Sequence, residues 1–192
     1  GAQVAEGTTP ALQPVGTSLR RWTDGLIEAA QLPERAAELD VWRGILDGPD
    51  PLLGSRALDL DVDVFHTVTR TQVDVPVAVT EALLESAPDE LGGDLSDVLA
   101  TALAMATAEW RRARGVDHPA TLVTLEGHGR EESVVPGADL SRTVGWFTTM
   151  YPARLDLSGI DLSDALMGGS SAVDAVHAVR DQLAVIPDKG IG

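Results

Sequence analysis

Apolar side chains recur at helical spacing near the start of the chain. The first such stretch begins after Ser18, a favourable N-cap, and carries Trp22 as a predicted packing anchor. Pro33 ends this helix and can open a second one, which runs to Gly48. The residues before Ser18 show no such spacing, so we predict a linker or extended arm over residues 1–16 and a folded region over 17–192.

Three further helices are predicted downstream. A short one covers residues 80–86, and the longest begins after the N-cap Asp94. The long helix is apolar on nearly every side over residues 98–108, so we expect it to be covered on more than one face. The last helix begins with Ser171 as its cap and ends before Pro187.

Strand patterns separate these helices. Apolar and polar residues alternate over 58–68, which predicts a strand with His66 on its apolar face as a core or edge residue. Two other strands are predicted over 120–125 and 147–157. This order of elements predicts an α/β or α+β layered sandwich, in which a mixed sheet is flanked by helices.

Composition narrows the function classes. The 192 residues include 30 acidic and 14 basic side chains, for a net charge of −16, which disfavours nucleic-acid binding. There is no cysteine, so disulfides and thiolate metal sites are excluded. No apolar run is long enough to span a membrane. We therefore expect a cytoplasmic protein that binds neither nucleic acid nor membrane.

The run Leu-Glu-Gly-His-Gly-Arg-Glu-Glu at 125–132 is the first candidate for chemistry. Glu126 ends a predicted strand, where partial burial would raise the pKa of its carboxyl group toward the range of a general acid–base. Gly127 and Gly129 permit positive φ angles and leave room for a ligand or another backbone, and Arg130 can pair with a carboxylate. On spacing alone, a structural role for this turn remains the alternative.

Other classes of site find less support. The chain has no Gly-x-Ser-x-Gly run for a serine nucleophile. The four histidines lack metal-ligand spacing, and the glycines at 127 and 129 lack the lysine and spacing of a phosphate loop. No metal site is therefore predicted.

The run at 126–132 and the run Asp-Leu-Ser-Arg-Thr-Val-Gly-Trp-Phe-Thr-Thr-Met-Tyr-Pro at 139–152 together resemble the epimerization domains of nonribosomal peptide synthetases. Thr-Ser-Leu-Arg-Arg-Trp at 17–22 and Pro-Asp-Lys-Gly-Ile-Gly at 187–192 match that family too, in the right order. Condensation domains of the same superfamily tend to carry Gly-x-Phe-x-Asn-Thr where this chain has Gly-Trp-Phe-Thr-Thr-Met at 145–150.

The resemblance implies a lobe of the chloramphenicol-acetyltransferase fold and a reaction. The substrate would be an aminoacyl or peptidyl thioester on the phosphopantetheine arm of a carrier domain, and L and D forms at Cα would interconvert. Glu126 would be one acid–base group. No other cofactor is implied. The residues that the resemblance assigns to the pantetheine tunnel are Gly127, His128, Gly129, Arg130, Trp146, Phe147 and Thr148.

One element of the family pattern has no counterpart here. The second acid–base group of the family is a histidine of a His-His-x-x-x-Asp motif in the N-terminal lobe, and no such motif occurs in this sequence. We therefore interpret the chain as part of an epimerization domain, mainly its C-terminal lobe, without the N-terminal lobe and the closing segment. We expect it to be inactive alone and to work with that lobe, a peptidyl carrier domain and neighbouring synthetase domains.

Two other functions stay open at this point. The chain could belong to a condensation domain that forms peptide bonds, or to a non-catalytic module that docks carrier domains. Arg111, Arg112 and Arg114 are the only compact basic cluster, and they could face an acidic carrier domain. Their place at the end of the long helix also favours the helix dipole, which is a sufficient structural reason for them.

Overall fold

The computed structural model describes residues 2–5, 7, 9 and 11–191. These residues divide into two compact units. Unit 1 draws on residues 1–40, 126–151 and 187–192, and unit 2 on residues 41–125 and 152–186. Each unit therefore combines segments that are distant in sequence.

Helices account for most of the regular structure in the described residues. Their bounds are α1 (Ala2–Ala5), α2 (Leu19–Ala29), α3 (Pro33–Ala37), α4 (Leu39–Leu46), α5 (Val77–Glu85), α6 (Ala87–Leu91), α7 (Leu95–Arg112), α8 (Leu162–Leu166) and α9 (Ser171–Ala184). The predicted helix from Pro33 to Gly48 is thus two helices, interrupted at Glu38. None of the described helices is long and apolar enough to cross a membrane.

The sheet consists of β1 (Ala120–Gly127) and β2 (Thr149–Asp156). Leu157 donates to the Pro119 carbonyl at 3.4 Å, and Gly127 abuts Thr149, so the strands are antiparallel. In an antiparallel ladder, only every second residue of a strand forms hydrogen bonds with the neighbouring strand. Leu157 is such a residue, and Pro152 lies five positions before it, at a position that does not bond to β1. Its missing N–H therefore interrupts no bond to β1.

Unit 1 is built around Trp22, as predicted. Trp22 is 3% exposed and packs with the other buried apolar residues of this core, namely Ala29, Val134, Leu140 and Phe147. The Ser18 side chain caps α2 by accepting from the Arg21 amide at 3.2 Å. Thr17 holds the entry to the helix, because its hydroxyl accepts from the Asp139 amide at 2.9 Å. The segment of 139–147 is thereby fixed against α2.

Unit 2 is centred on α7, which packs against α8 and α9. Asp94 and Asp97 form a capping box, each carboxylate accepting from the other's amide at 2.9 Å, which confirms the predicted start of the helix. Its buried face includes Ala104, at 0% exposure. Leu99 and Leu103 are each 49% exposed, so the expected cover on a second face is absent among the described residues.

Arg111 holds separate segments of unit 2 together from a buried position. The side chain is 2% exposed and donates to the carbonyls of Ala120 at 2.6 Å and Pro51 at 2.7 Å. It also contacts Asp50 at 3.1 Å. A buried guanidinium is tolerated where its donors find such acceptors. This arginine therefore ties the end of α7 to β1 and to the loop at 50–51.

The predicted strand over 58–68 is wrong. These residues form turns and a short 3₁₀ segment at Phe65–Thr67, and His66 is exposed rather than buried. The Asp63 carboxylate accepts from the Asp59 amide at 2.8 Å and pairs with Arg56 at 2.6 Å. The alternating aspartates bind nearby backbone amides, which competes with a strand ladder. Leu58, Leu60 and Phe65 remain more than 80% exposed, at 82%, 84% and 82%.

Replacing Arg111 tests its role in unit 2. Arg111→Ala removes the donor to the Ala120 and Pro51 carbonyls and the Thr121 hydroxyl, all buried or half-buried, and we expect it to lower the free energy of unfolding by about 3 kcal/mol. Arg112→Ala is the matched control, because its side chain is 47% exposed and surface pairs contribute less than about 1 kcal/mol. Urea unfolding measures both; similar losses in the two variants would contradict the role of Arg111.

Candidate functional site

The first candidate motif lies where β1 ends. Glu126 and Gly127 are the last residues of the strand, and the loop of 128–131 leads into a 3₁₀ turn at Glu132–Val134. All of these residues belong to unit 1. The second motif, at 139–152, contributes Phe147 to the unit 1 core and the first residues of β2. The strand β1 therefore fixes the position of Glu126, and the core of unit 1 fixes the position of Phe147.

Glu126 is exposed, which corrects the predicted partial burial. Strand alternation places it on the same face as Thr124, which is exposed as well. The prediction assumed an internal strand, whereas β1 has only β2 as a neighbour in the described residues. No described residue pairs with the carboxylate. The group is therefore open to solvent.

The two glycines of the motif are required by packing. Gly129 has a φ of 67°, and a Cβ atom there would overlap the Phe147 carbonyl. A Cβ atom at Gly127 would lie 2.8 Å from the Thr149 hydroxyl and 3.4 Å from the Lys189 carbonyl. Of the two sequence-based possibilities, close approach of another backbone is the one observed at Gly129.

Arg130 connects the two motifs. Its guanidinium donates to the carbonyls of Leu140 at 2.6 Å and Thr143 at 2.9 Å, and it stacks 4.1 Å from the centre of the Phe147 ring. The predicted pairing with a carboxylate is not what holds it. Five donors in a planar fork suit this combination of two carbonyls and one ring face. Arg130 therefore fixes the loop at 140–147 against the loop that follows Glu126.

His128 lies on the surface of the same loop, with its side chain 64% exposed. Its Nδ1 accepts from the Arg130 amide at 3.0 Å, which places the ring proton of the neutral form on Nε2. That Nε2 lies 3.5 Å from a carboxylate oxygen of Glu131. His128 thus takes part in loop structure while keeping an exposed ring.

Five of the predicted site residues line one open depression with a volume of about 500 Å³. They are His128, Arg130, Trp146, Phe147 and Thr148. Trp146 is 87% exposed, whereas Phe147 is 8% exposed and forms the floor. Glu126 is not among the lining residues. The structure therefore brings the two motifs together through Arg130 and Phe147 and leaves Glu126 on the strand beside them.

Sequence reasoning assigned no role to three neighbours of the site. Glu131 has a carboxylate oxygen that is shielded from solvent without a hydrogen bond, and the Lys189 amine lies 3.8 Å from it. Burial, and then the negative charge of Glu131, raise the pKa of the Tyr151 hydroxyl above its usual value. All three residues stand inside the quoted motifs, so the motifs were the available signal.

Burial decides which members of the predicted basic cluster are accessible. Arg111 is buried, so it offers no docking surface, whereas Arg112 and Arg114 are exposed. Arg114 stacks on the Trp110 ring at 3.2 Å. Within the residues described, no group of three or more histidines, aspartates or glutamates is arranged to hold a metal ion.

The model of the condensation domain family matches residues 2–192, so the chain belongs to the condensation-domain family. Chondramide synthase cmdD of Chondromyces crocatus is 40% identical over 199 residues, covering 98% of this chain and 4% of that protein. One of the linear gramicidin synthase proteins of Brevibacillus parabrevis is 35% identical over 196 residues, covering 99% and 2%. The chain is thus a condensation-family domain segment of the kind found in nonribosomal peptide synthetases, and it spans a small part of these relatives.

Solved structures confirm the predicted fold. The epimerization domain from the third module of tyrocidine synthetase B superposes with a TM-score of 0.76 at 26% identity, over 99% of this chain and 39% of that one. The first condensation domain of the calcium-dependent antibiotic synthetase gives a TM-score of 0.64 at 19% identity, over 97% and 37%. The helices around a small sheet are those of the condensation and epimerization fold.

Replacing Gly129 tests the close approach between the two motifs. Gly129→Ala places a methyl group on the Phe147 carbonyl at a positive φ angle, and we expect a loss of more than about 3 kcal/mol in the free energy of unfolding. Gly137→Ala is the control, because Gly137 has a φ of 77° and open space around its Cα. The control should lose only about 1 kcal/mol. Equal losses in urea unfolding would mean that the backbone angle, and not the contact, requires glycine at 129.

Proposed function

We propose that the chain is part of an epimerization domain and contributes Glu126 to the interconversion of L and D forms at Cα of a carrier-bound thioester. The observation that carries the proposal is the whole motif at 126–132, with its first carboxylate accessible at the end of β1. The likeness to an epimerization domain, at a TM-score of 0.76 against 0.64 for a condensation domain, supports it.

The chemistry requires two acid–base groups on opposite faces of one carbon. A thioester acidifies the Cα–H, so a base on one face can remove that proton and leave an enolate-like intermediate. A protonated group on the other face then delivers a proton to Cα, and the configuration inverts. Glu126 serves one face, as carboxylate in one direction and as carboxylic acid in the other. No oxidant, reductant or metal is needed to balance this exchange.

The second group is proposed to come from the histidine motif of a companion N-terminal lobe. Residues 17–192 then form mainly the C-terminal lobe, and the thioester reaches Glu126 on the phosphopantetheine arm of a peptidyl carrier domain. The open depression floored by Phe147, beside the exposed Trp146, is the proposed approach for that arm. The cofactor arm is thus part of the substrate, and its carrier is the principal partner.

Condensation remains the alternative within the family, and the second motif separates the two. Condensation would join two carrier-bound groups into a peptide bond without exchange at Cα. Thr149 and Met150 stand where the Gly-x-Phe-x-Asn-Thr pattern expected for condensation domains has Asn and Thr. A non-catalytic docking role would predict carrier binding with neither reaction.

Isotope exchange in the complete synthetase tests the proposal. With L- or D-aminoacyl thioester on the carrier domain in D₂O, we expect deuterium at Cα and a mixture of both configurations. Glu126→Gln removes one acid–base group and should slow inversion by about 10² to 10⁴. The opposite acid–base group remains in this variant. One of the two starting isomers should therefore still exchange its Cα proton for deuterium, without inversion, and the other should not exchange.

Thr124→Ala is the matched control, because Thr124 shares the exposed strand face and carries no acid–base group. It should leave the inversion rate within about twofold, since proton transfer is the step that Glu126 supplies. Peptide-bond formation without deuterium at Cα would overturn the proposal in favour of condensation. Carrier binding with neither reaction would favour a docking module.

A further inference from the structure

The turn at Pro187–Gly190 holds an unusual backbone. Asp188 has φ and ψ of 41° and 35°, and Lys189 has 49° and 40°. Two successive non-glycine residues in the left-handed region are costly, because their Cβ atoms crowd the backbone. Such a conformation persists only where the surroundings enforce it.

An ion pair from α3 holds the first of these residues. The Arg35 guanidinium contacts Asp188 at 2.8 Å and Glu38 at 2.5 Å, and its side chain is only 15% exposed. Burial works against the charged form of Arg35, but its hydrogen bonds to Asp188 and Glu38 outweigh that effect and raise its pKa. Arg35 is therefore charged throughout the working pH range, and its position fixes the Asp188 carboxylate.

The turn at Pro187–Gly190 also contacts the end of β1. The Lys189 carbonyl accepts from the Thr149 hydroxyl at 3.2 Å and lies 3.4 Å from where a Gly127 side chain would begin. The Lys189 amine reaches toward Glu131 at 3.8 Å. A Cβ atom at Gly190 would overlap the Tyr151 ring. The turn is thus packed against both strands, one residue away from Glu126.

We propose that Arg35 is a positioning residue: through Asp188 it holds the left-handed turn against Gly127 and Thr149, and so it fixes the strand end that presents Glu126. This inference rests on the proposed function, since it gives Arg35 a role in that same site. Arg35 touches no reacting atom. Its loss would let the turn relax toward ordinary backbone angles and free the last residue pair of the strands.

The test uses the complete synthetase with L- or D-aminoacyl thioester on its carrier domain in D₂O. Arg35→Ala should lower kcat for inversion about tenfold, because a displaced acid–base group works poorly even when it is present. One starting isomer loses exchange in Glu126→Gln, and for this isomer Arg35→Ala should slow deuterium exchange at Cα about tenfold. For the other isomer, exchange should slow less than about twofold.

Two further variants separate positioning from general stability. Glu38→Ala removes the other partner of Arg35 without touching the turn, so inversion should stay within about twofold of the unmodified synthetase. Adding Asp188→Asn to Arg35→Ala should restore most of the lost rate, because asparagine adopts the left-handed region more readily and the turn then needs no ion pair.

The outcomes distinguish this inference from the proposed function. If the unmodified synthetase shows no exchange at Cα, the proposed function fails first. If exchange depends on Glu126 but Arg35→Ala is unaffected, or slows both isomers equally, Arg35 is not a positioning residue. Failure of Asp188→Asn to restore the rate would also overturn it, since the left-handed turn would then not be the link.

Discussion

The contact on which the rest of unit 1 depends is the approach of the Gly129 backbone to the Phe147 carbonyl. This contact leaves no room for a side chain at position 129. Because of it, the loop after β1 and the segment before β2 lie against each other. Arg130 completes the junction by binding two carbonyls of that segment and stacking on Phe147. Phe147 in turn belongs to the core around Trp22. A backbone contact thus connects the motif of Glu126 to the interior of the unit.

The positions that sequence predicted well are those where local chemistry decides the structure. Ser18 and Asp94 begin helices because their side chains satisfy the first free amides, a short-range interaction that a pattern can carry. The strand that carries Glu126 has the same character, because it is a short β-rich run whose last residue is Gly127. The candidate motif could therefore be placed on the right element from the sequence.

The features that sequence missed depend on distant residues or on competing local bonds. Residues 58–68 have the alternation of a strand, yet aspartate side chains occupy their amides. The burial of Glu126 was misjudged because it depends on how many strands flank β1, which no local pattern reports. The pairing of Arg35 with Asp188 joins residues 153 positions apart, and nothing at either position indicates the other.

The aspartate-rich segment at 58–68 has a consequence for solubility. Leu58, Leu60 and Val62 are exposed at alternating positions, as in a strand, and such a sequence tends to join other chains edge to edge. Asp63 and Asp59 prevent this by engaging the amides such an edge would use. Bonds from Arg56 and then from the Asp59 amide lower the pKa of Asp63, so this protection persists above the usual pKa of aspartate and is lost as pH falls through the lowered value. Protonation of Asp63 in strong acid would therefore release the Asp59 amide and remove the bond that holds this segment in a turn.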